Sequence, residues 1–99
     1  MIEESFFHLG VLTVSIHIPM SQSLKDKRMI LKSLKDRMRS QFNVSVAEIG
    51  EHNKWQVSHL GFVMLNRDQK HIDASFQHLL SFLESADNFN LCEHKIEFI

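Results

Sequence analysis

The sequence predicts an α+β fold in which a four-stranded antiparallel sheet carries two helices on one face. Alternating apolar residues mark strands, two further segments repeat apolar residues with the period of a helix, and the segments follow the order βαββαβ. With 99 residues, of which 43% are hydrophobic, the chain can bury one core but not two. We therefore expect a single domain over residues 1–99.

Four segments have the apolar and β-branched character of strands. In the first, every second side chain from Leu12 to Ile18 is apolar, and Pro19 then ends the strand. A short polar turn at 51–53 separates the second and third strands, which predicts an antiparallel hairpin. The predicted strands cover residues 7–18, 43–50, 54–65 and 91–99.

Two segments have the apolar period of a helix. Ser23 stands three residues before Asp26, a capping-box spacing that starts the first helix, which is expected to end near Ser40. Asn66 and Asp68 can start the second helix. Its apolar residues are Ile72, Phe76, Leu79, Leu83 and Ala86. With right-handed crossovers, this order gives a ferredoxin-like βαββαβ sandwich whose first and third strands are central.

The first helix holds most of the positive charge of a chain whose formal net charge is -1. Residues 24–39 contain seven of the eleven Lys and Arg residues and only two of the twelve acids. On an ideal helix, five of these cations share an arc of about 80° beside the apolar side. These five residues, called the basic stripe below, are Lys25, Arg28, Lys32, Lys35 and Arg39.

The basic stripe costs stability, since its successive members are like-charge neighbours at i,i+3 or i,i+4, at about 0.2–0.5 kcal/mol a pair. Asp26 and Asp36 lie off the stripe, at about 200° and 120° when Leu24 is set at 0°. The stripe extends over roughly 20 Å, which suits a nucleic-acid backbone. We therefore expect an anionic partner; the alternative is a solvated face, or one paired with acids elsewhere in the fold.

Stacking of bases on the central strands, as in the RRM module that shares this fold, is not expected. Residues 58–65 match the RNP1 pattern of that module only at Gly61, Phe62 and Val63, and we expect Phe62 in the core. Trp55 could stack on a base, but we expect it to seal one end of the sheet.

Neither a metal site nor a catalytic site is expected. The seven histidines include no H-x-H or H-x-x-x-H pair, and none has a zinc-finger spacing to the lone Cys92. We expect Cys92 in the core and His71 and His78 on the solvent side of the second helix. Since no Ser-His-Asp set, carboxylate pair or phosphate loop can be assigned, we expect a protein that is not an enzyme.

The sheet face opposite the helices is expected to be open and apolar. Phe7, Leu9 and Val11 alternate with the residues expected to be buried, so they lie on the opposite face of the first strand. Within residues 61–65, the side chains on both faces of the third strand are apolar. Such a face favours self-association or a protein partner, which is the alternative function.

The amino terminus does not have the features of a signal peptide. Glu3 and Glu4 stand where positive charge is needed, and no apolar run in the chain is long enough to cross a bilayer. We therefore expect a cytoplasmic protein.

The segment from His17 to Gly61 resembles the bacterial YlxP-like family. The matching motifs are HIP at 17–19, SLKDKR at 23–28, SL at 33–34, FNVSVAE at 42–48, WQ at 55–56 and LG at 60–61. The resemblance implies a small cytosolic protein of ferredoxin-like fold and unknown function, with no established catalytic residue. It also implies a link to translation or ribosome maturation, because the family's genes often lie beside those for translation initiation factor two and ribosome-binding factor A.

The recurrent SLK-x-KR segment of that family maps onto Lys25, Lys27 and Arg28, within the helix that carries the basic stripe. The resemblance therefore favours RNA over DNA as the anionic partner and adds Lys27 to the candidates. The predicted RNA-binding residues are Lys25, Lys27, Arg28, Lys32, Lys35 and Arg39.

Overall fold

The computed structural model describes residues 5–99 and confirms the predicted order of elements. The elements are β1 (His8–His17), α1 (Leu24–Gln41), β2 (Ser45–Gly50), β3 (Val57–Asn66), α2 (Gln69–Ser85) and β4 (Asn90–Phe98). The strands pair antiparallel in the order β2-β3-β1-β4, so β1 and β3 are central, as predicted. Glu3 and Glu4, on which the expectation about a signal peptide depends, lie outside the described residues.

The core lies between one face of the sheet and the two helices. β1 and β3 present alternate side chains to it, and Phe62 is fully buried there, as predicted. α2 packs closely over β1: a Cβ added to Gly10 would lie 2.5 Å from Cγ2 of Ile72. α1 packs on the same face of the sheet, over the edge strand β2. No helix within residues 5–99 is long and apolar enough to span a membrane.

Side chains fix the start of each helix. The Ser23 hydroxyl accepts a hydrogen bond from the Asp26 amide at 3.0 Å, so the predicted cap of α1 is confirmed. The Asp26 carboxylate accepts from the Gln22 amide at 3.0 Å, one residue before the position of a regular capping box. Asp68 caps α2 by accepting from the Lys70 amide at 2.9 Å.

The predicted turn between β2 and β3 was too short. The third strand begins at Val57 rather than at residue 54, and the connection covers residues 51–56. Glu51 begins this connection with φ of 62°, a left-handed conformation that turns the chain out of β2. The segment called the hairpin loop below is residues 51–56.

The expectation that Cys92 is a core residue was wrong, because this cysteine is exposed. In β4, Glu93 pairs with Ser15 and Leu91 pairs with Ile16, so Cys92 is the extra residue of a β-bulge. A bulge on an edge strand changes the alternation of side chains, and it leaves the thiol on the solvent side.

Candidate nucleic-acid interface

The basic stripe runs along the side of α1 that faces the free β2 edge of the sheet. Near its end, the Arg39 guanidinium lies 3.5 Å from the Val46 carbonyl oxygen of β2. The opposite side of α1, with Ile30 and Arg37, instead faces a groove shared with α2, in which the Arg37 guanidinium lies 4.9 Å from the Phe82 ring centre. The stripe is therefore on the outside of the molecule and away from the second helix.

Four of the five stripe residues are exposed, and Lys35 is half-buried. Lys25, Arg28 and Lys35 make no ion pair with another residue in the range 5–99. Their charges are therefore free to meet an anion without first breaking a contact in this part of the chain.

The other two stripe residues share one carboxylate. The Asp36 carboxylate accepts a hydrogen bond from Lys32 Nζ at 2.8 Å and another from Arg39 Nη1 at 3.1 Å. The hydrogen bond from Lys32, with the positive charges around it, holds the pKa of Asp36 below its usual value. Although Asp36 lies about 40° to 60° from these cations around the helix, their long side chains close that gap. One acid therefore pairs with the stripe, and this trio keeps one net positive charge.

Lys27 is a correction to the predicted set of RNA-binding residues. Only 1% of the residue is exposed, and its ammonium lies under the hairpin loop. Nζ is 2.9 Å from Glu48 Oε2 and donates to the carbonyl oxygens of Glu51, at 2.8 Å, and Val57, at 3.1 Å. Since an ammonium has three donors and all are used within the fold, Lys27 does not contribute to the exposed basic surface.

Glu48 is held in its ionised form by the same cluster. Burial alone would raise the pKa of this carboxyl, but the hydrogen bonds from Lys27 and Ser58, together with the Lys27 charge, outweigh that effect and lower it. The Ser58 hydroxyl donates to Oε2 at 2.7 Å. A buried ion pair with its remaining donors satisfied joins α1 to both strands of the hairpin.

The sequence contains a signal for this buried pair. Lys27 lies at about 300° on the helix, between Leu34 at about 280° and Met38 at about 320°, and thus within the apolar side. Glu48 lies two residues after Val46, so its side chain is on the same face of β2, which is the face toward the core. A cation and an anion that both occupy core positions predict an ion pair between the two elements.

Trp55 is a second correction, because it does not seal the end of the sheet. Trp55 is 56% exposed. Since β3 begins only at Val57, Trp55 belongs to the hairpin loop and not to the sheet. The sequence pattern placed it on a strand because KWQVS, residues 54–58, alternates between polar and apolar residues as a strand would.

The open face of the sheet is most apolar at one end. Val63 and Leu65 of β3 are exposed, and Leu9 and Val11 of β1 beside them are half-buried. Phe7 is exposed but precedes β1. The other end of the face is mostly polar, with Thr13, Ser15, His59, Glu93 and Lys95, although Ile49 of β2 is exposed among them.

The histidines do not form a cluster in the part of the chain that the structure describes. His71 and His78 are exposed on α2, as predicted. No three His, Cys, Asp or Glu side chains among residues 5–99 come together in an arrangement that could hold a metal ion.

The topology and the surface charge define this molecule as a small ferredoxin-like α+β domain that presents a basic helix along one edge of its sheet. The chain belongs to the family described as "Protein of unknown function (DUF503)", which matches residues 9–96. It is 35% identical over 63 residues to the "Uncharacterized protein YlxP" of Bacillus subtilis (strain 168), a match that covers 64% of this chain and 68% of that protein. The resemblance to the YlxP-like family is thus confirmed.

Among solved structures, the "De novo designed protein Foldit4" is similar with a TM-score of 0.49 and 17% sequence identity. The similarity covers 92% of this chain and 96% of the designed protein.

Proposed function

We propose that this chain is a cytoplasmic, non-enzymatic protein that binds the backbone of RNA through the basic stripe of α1 and acts in translation or ribosome maturation. The observation that carries the proposal is the position of the basic stripe along one helix, with Lys25, Arg28, Lys32 and Arg39 exposed and Lys35 half-buried. The link to the ribosome depends on what the family resemblance implies. Lys27 is not part of the proposed surface.

The geometry of the stripe suits a chain of phosphates. From Lys25 to Arg39 the helix rises about 21 Å, which is the length of several nucleotides and far more than one phosphate group. Three of the five side chains have no ion-pair partner among residues 5–99, so phosphate contacts there displace only water and counterions. Contacts of this kind attach RNA without selecting a sequence.

The test is binding of ribosomal RNA and of ribosomal subunits across a series of salt concentrations. If each stripe residue meets one phosphate, the logarithm of the binding constant falls against the logarithm of salt with a slope of roughly -3.5 to -4.5. The variant Lys32→Glu/Lys35→Glu should lower the affinity and reduce the slope by about 1.4 or more.

A matched control is available on the second helix. Arg67 and Lys70 are exposed near the start of α2, at the opposite end of the sheet from the start of α1. The variant Arg67→Glu/Lys70→Glu makes the same change in net charge away from the stripe, and it should keep most of the affinity. Equal losses in both double variants would indicate a response to net charge alone and would count against the stripe.

A second candidate function is self-association through the apolar end of the open sheet face. The exposed side chains of Val63, at 37%, and Leu65, at 56%, favour it. Sedimentation of the wild-type protein and of Leu65→Lys at micromolar concentration tests it: a dimer that Leu65→Lys dissociates supports this function, and a wild-type monomer contradicts it.

A further inference from the structure

Trp55 is the single tryptophan of the sequence, and it is exposed on the hairpin loop. A tryptophan that has more than half of its surface in water contributes little to the core, although it is the side chain with the most apolar area to bury. A role in binding accounts for its position better than a role in packing.

The polar groups on both sides of Trp55 are already bonded within the protein. Lys54 Nζ lies 2.9 Å from the Glu51 carboxylate. Gln56 Nε2 donates to the carbonyl oxygens of Pro19, at 3.1 Å, and Ser21, at 3.0 Å. The main-chain carbonyl oxygen of Gln56 accepts from the Ile18 amide at 2.7 Å. The Trp55 indole makes no hydrogen bond among residues 5–99, although it lies on a loop that is fixed at both sides.

The hairpin loop is also fixed by a side chain of α1, at the end of the molecule where that helix begins. Lys27 donates to the carbonyl oxygens of Glu51 and Val57, which are the first residue of the loop and the residue that follows it. Lys27 lies in the first turn of α1, between Lys25 and Arg28 of the basic stripe. These contacts therefore hold the loop that carries Trp55 against the first turn of α1, where the stripe begins, before any ligand arrives.

We infer that Trp55 is a stacking residue for an unpaired base of the RNA whose backbone binds the basic stripe. The inference rests on the proposed function and adds a substrate class to it: RNA with a single-stranded segment, such as a loop, a bulge or an end. Bases of single strands stack on exposed aromatic rings, whereas a base inside a duplex has both faces covered by its neighbours.

The charge beside the loop favours a base over an apolar protein partner. Met20 is also exposed, on the β1–α1 loop to which Gln56 is bonded, so the indole and a thioether lie on neighbouring loops. The helix that starts there carries the five cations of the stripe, and an anionic chain drawn to the stripe brings its bases to the same end. A hydrophobic protein surface gains nothing from those cations.

The experiment compares two RNA probes with the same sequence: a single strand of about twelve nucleotides and the corresponding blunt duplex. Affinity is measured by anisotropy of a label on the RNA, and stacking is measured by the fluorescence of Trp55, which reports on this position alone. The protein variants are Trp55→Ala and Trp55→Phe, with Lys32→Glu/Lys35→Glu as the stripe variant.

The single strand should quench the tryptophan emission with the same midpoint as the anisotropy change. Trp55→Ala should weaken binding of the single strand by roughly fivefold to a hundredfold and leave duplex binding unchanged, and Trp55→Phe should restore part of the loss. The stripe variant should weaken binding of both probes.

Unchanged emission at saturating single strand, or unchanged affinity in Trp55→Ala, overturns the inference and leaves the proposed function standing if the stripe variant still weakens both probes. An equal loss for both probes in Trp55→Ala also overturns it, because such a loss reflects the structure of the loop. If the wild-type protein binds neither probe at low salt, the proposed function fails, and the inference fails with it.

Discussion

The ammonium of Lys27 lies 2.9 Å from the carboxylate of Glu48, in an ion pair that joins the first turn of α1 to β2. The two side chains are buried to different degrees: 2% of the Lys27 side chain is exposed and 17% of the Glu48 side chain. Removing either partner leaves the other charge in a site of low polarity, and the cost depends on how well water can reach the charge that remains.

Glu48→Ala is expected to lower the free energy of unfolding by about 3–5 kcal/mol, because it leaves the Lys27 charge buried without a counter-charge. Lys27→Met should cost less, about 1–3 kcal/mol, since Glu48 keeps Ser58 and some contact with water. Urea unfolding followed by circular dichroism measures both. Lys25→Met is the control on the exposed side of the same turn, and it should change stability by less than about 0.5 kcal/mol. A larger loss for Lys27→Met than for Glu48→Ala would contradict this prediction.

The stability of the protein should decrease in acid through Glu48. The pKa of this carboxyl is lowered in the folded state, so its contribution is fully present above the ordinary pKa of 4.5 and is lost as the pH falls through the folded value. Glu48→Gln removes this titration. The difference in unfolding free energy between wild type and Glu48→Gln should therefore be constant near neutral pH and shrink below about pH 4.5. A difference that stays constant down to pH 3 would mean that Glu48 is not stabilised as the anion.

Asp36→Asn should strengthen RNA binding. The Asp36 carboxylate holds both Lys32 and Arg39, so its neutralisation frees two stripe cations and removes a negative charge from the binding surface. We expect affinity for RNA to rise by roughly two- to fivefold at low salt, and the gain to disappear as salt screens the stripe. Asp73→Asn, an exposed acid of α2, is the matched control. Unchanged affinity in Asp36→Asn would indicate that RNA does not meet this part of α1.

Gly10→Ala should destabilise the protein by overpacking. The added Cβ would lie 2.5 Å from Cγ2 of Ile72 and 3.0 Å from the Phe76 ring, so α2 must move away from β1, at a cost of about 1–3 kcal/mol. Gly61→Ala is the control on the open face, where the new Cβ would meet Ile49 at 3.4 Å, an ordinary contact. Thermal unfolding of both variants provides the comparison, and equal stability of the two would contradict the close packing of α2 on β1.

The order of elements, the central position of β1 and β3, the cap at Ser23 and the buried Phe62 were predictable because each depends on a local period or on a general rule of topology. The basic stripe was predictable for the same reason: its members are neighbours on one helix, so their separation is set by the helix itself.

The exact contacts of Lys27 and the positions of Trp55 and Cys92 were decided by tertiary structure. Lys27 and Glu48 are 21 positions apart in the sequence, and only the packing of α1 on the hairpin brings their charges together. Trp55 and Cys92 lie where a strand starts late and where a bulge changes the alternation, and neither event has a local period. The sequence by itself therefore determined which face of each regular element is buried. Contacts between distant segments determined which cations are left for a partner, because a cation is removed from the surface only when a distant acid or carbonyl oxygen is there to pair with it.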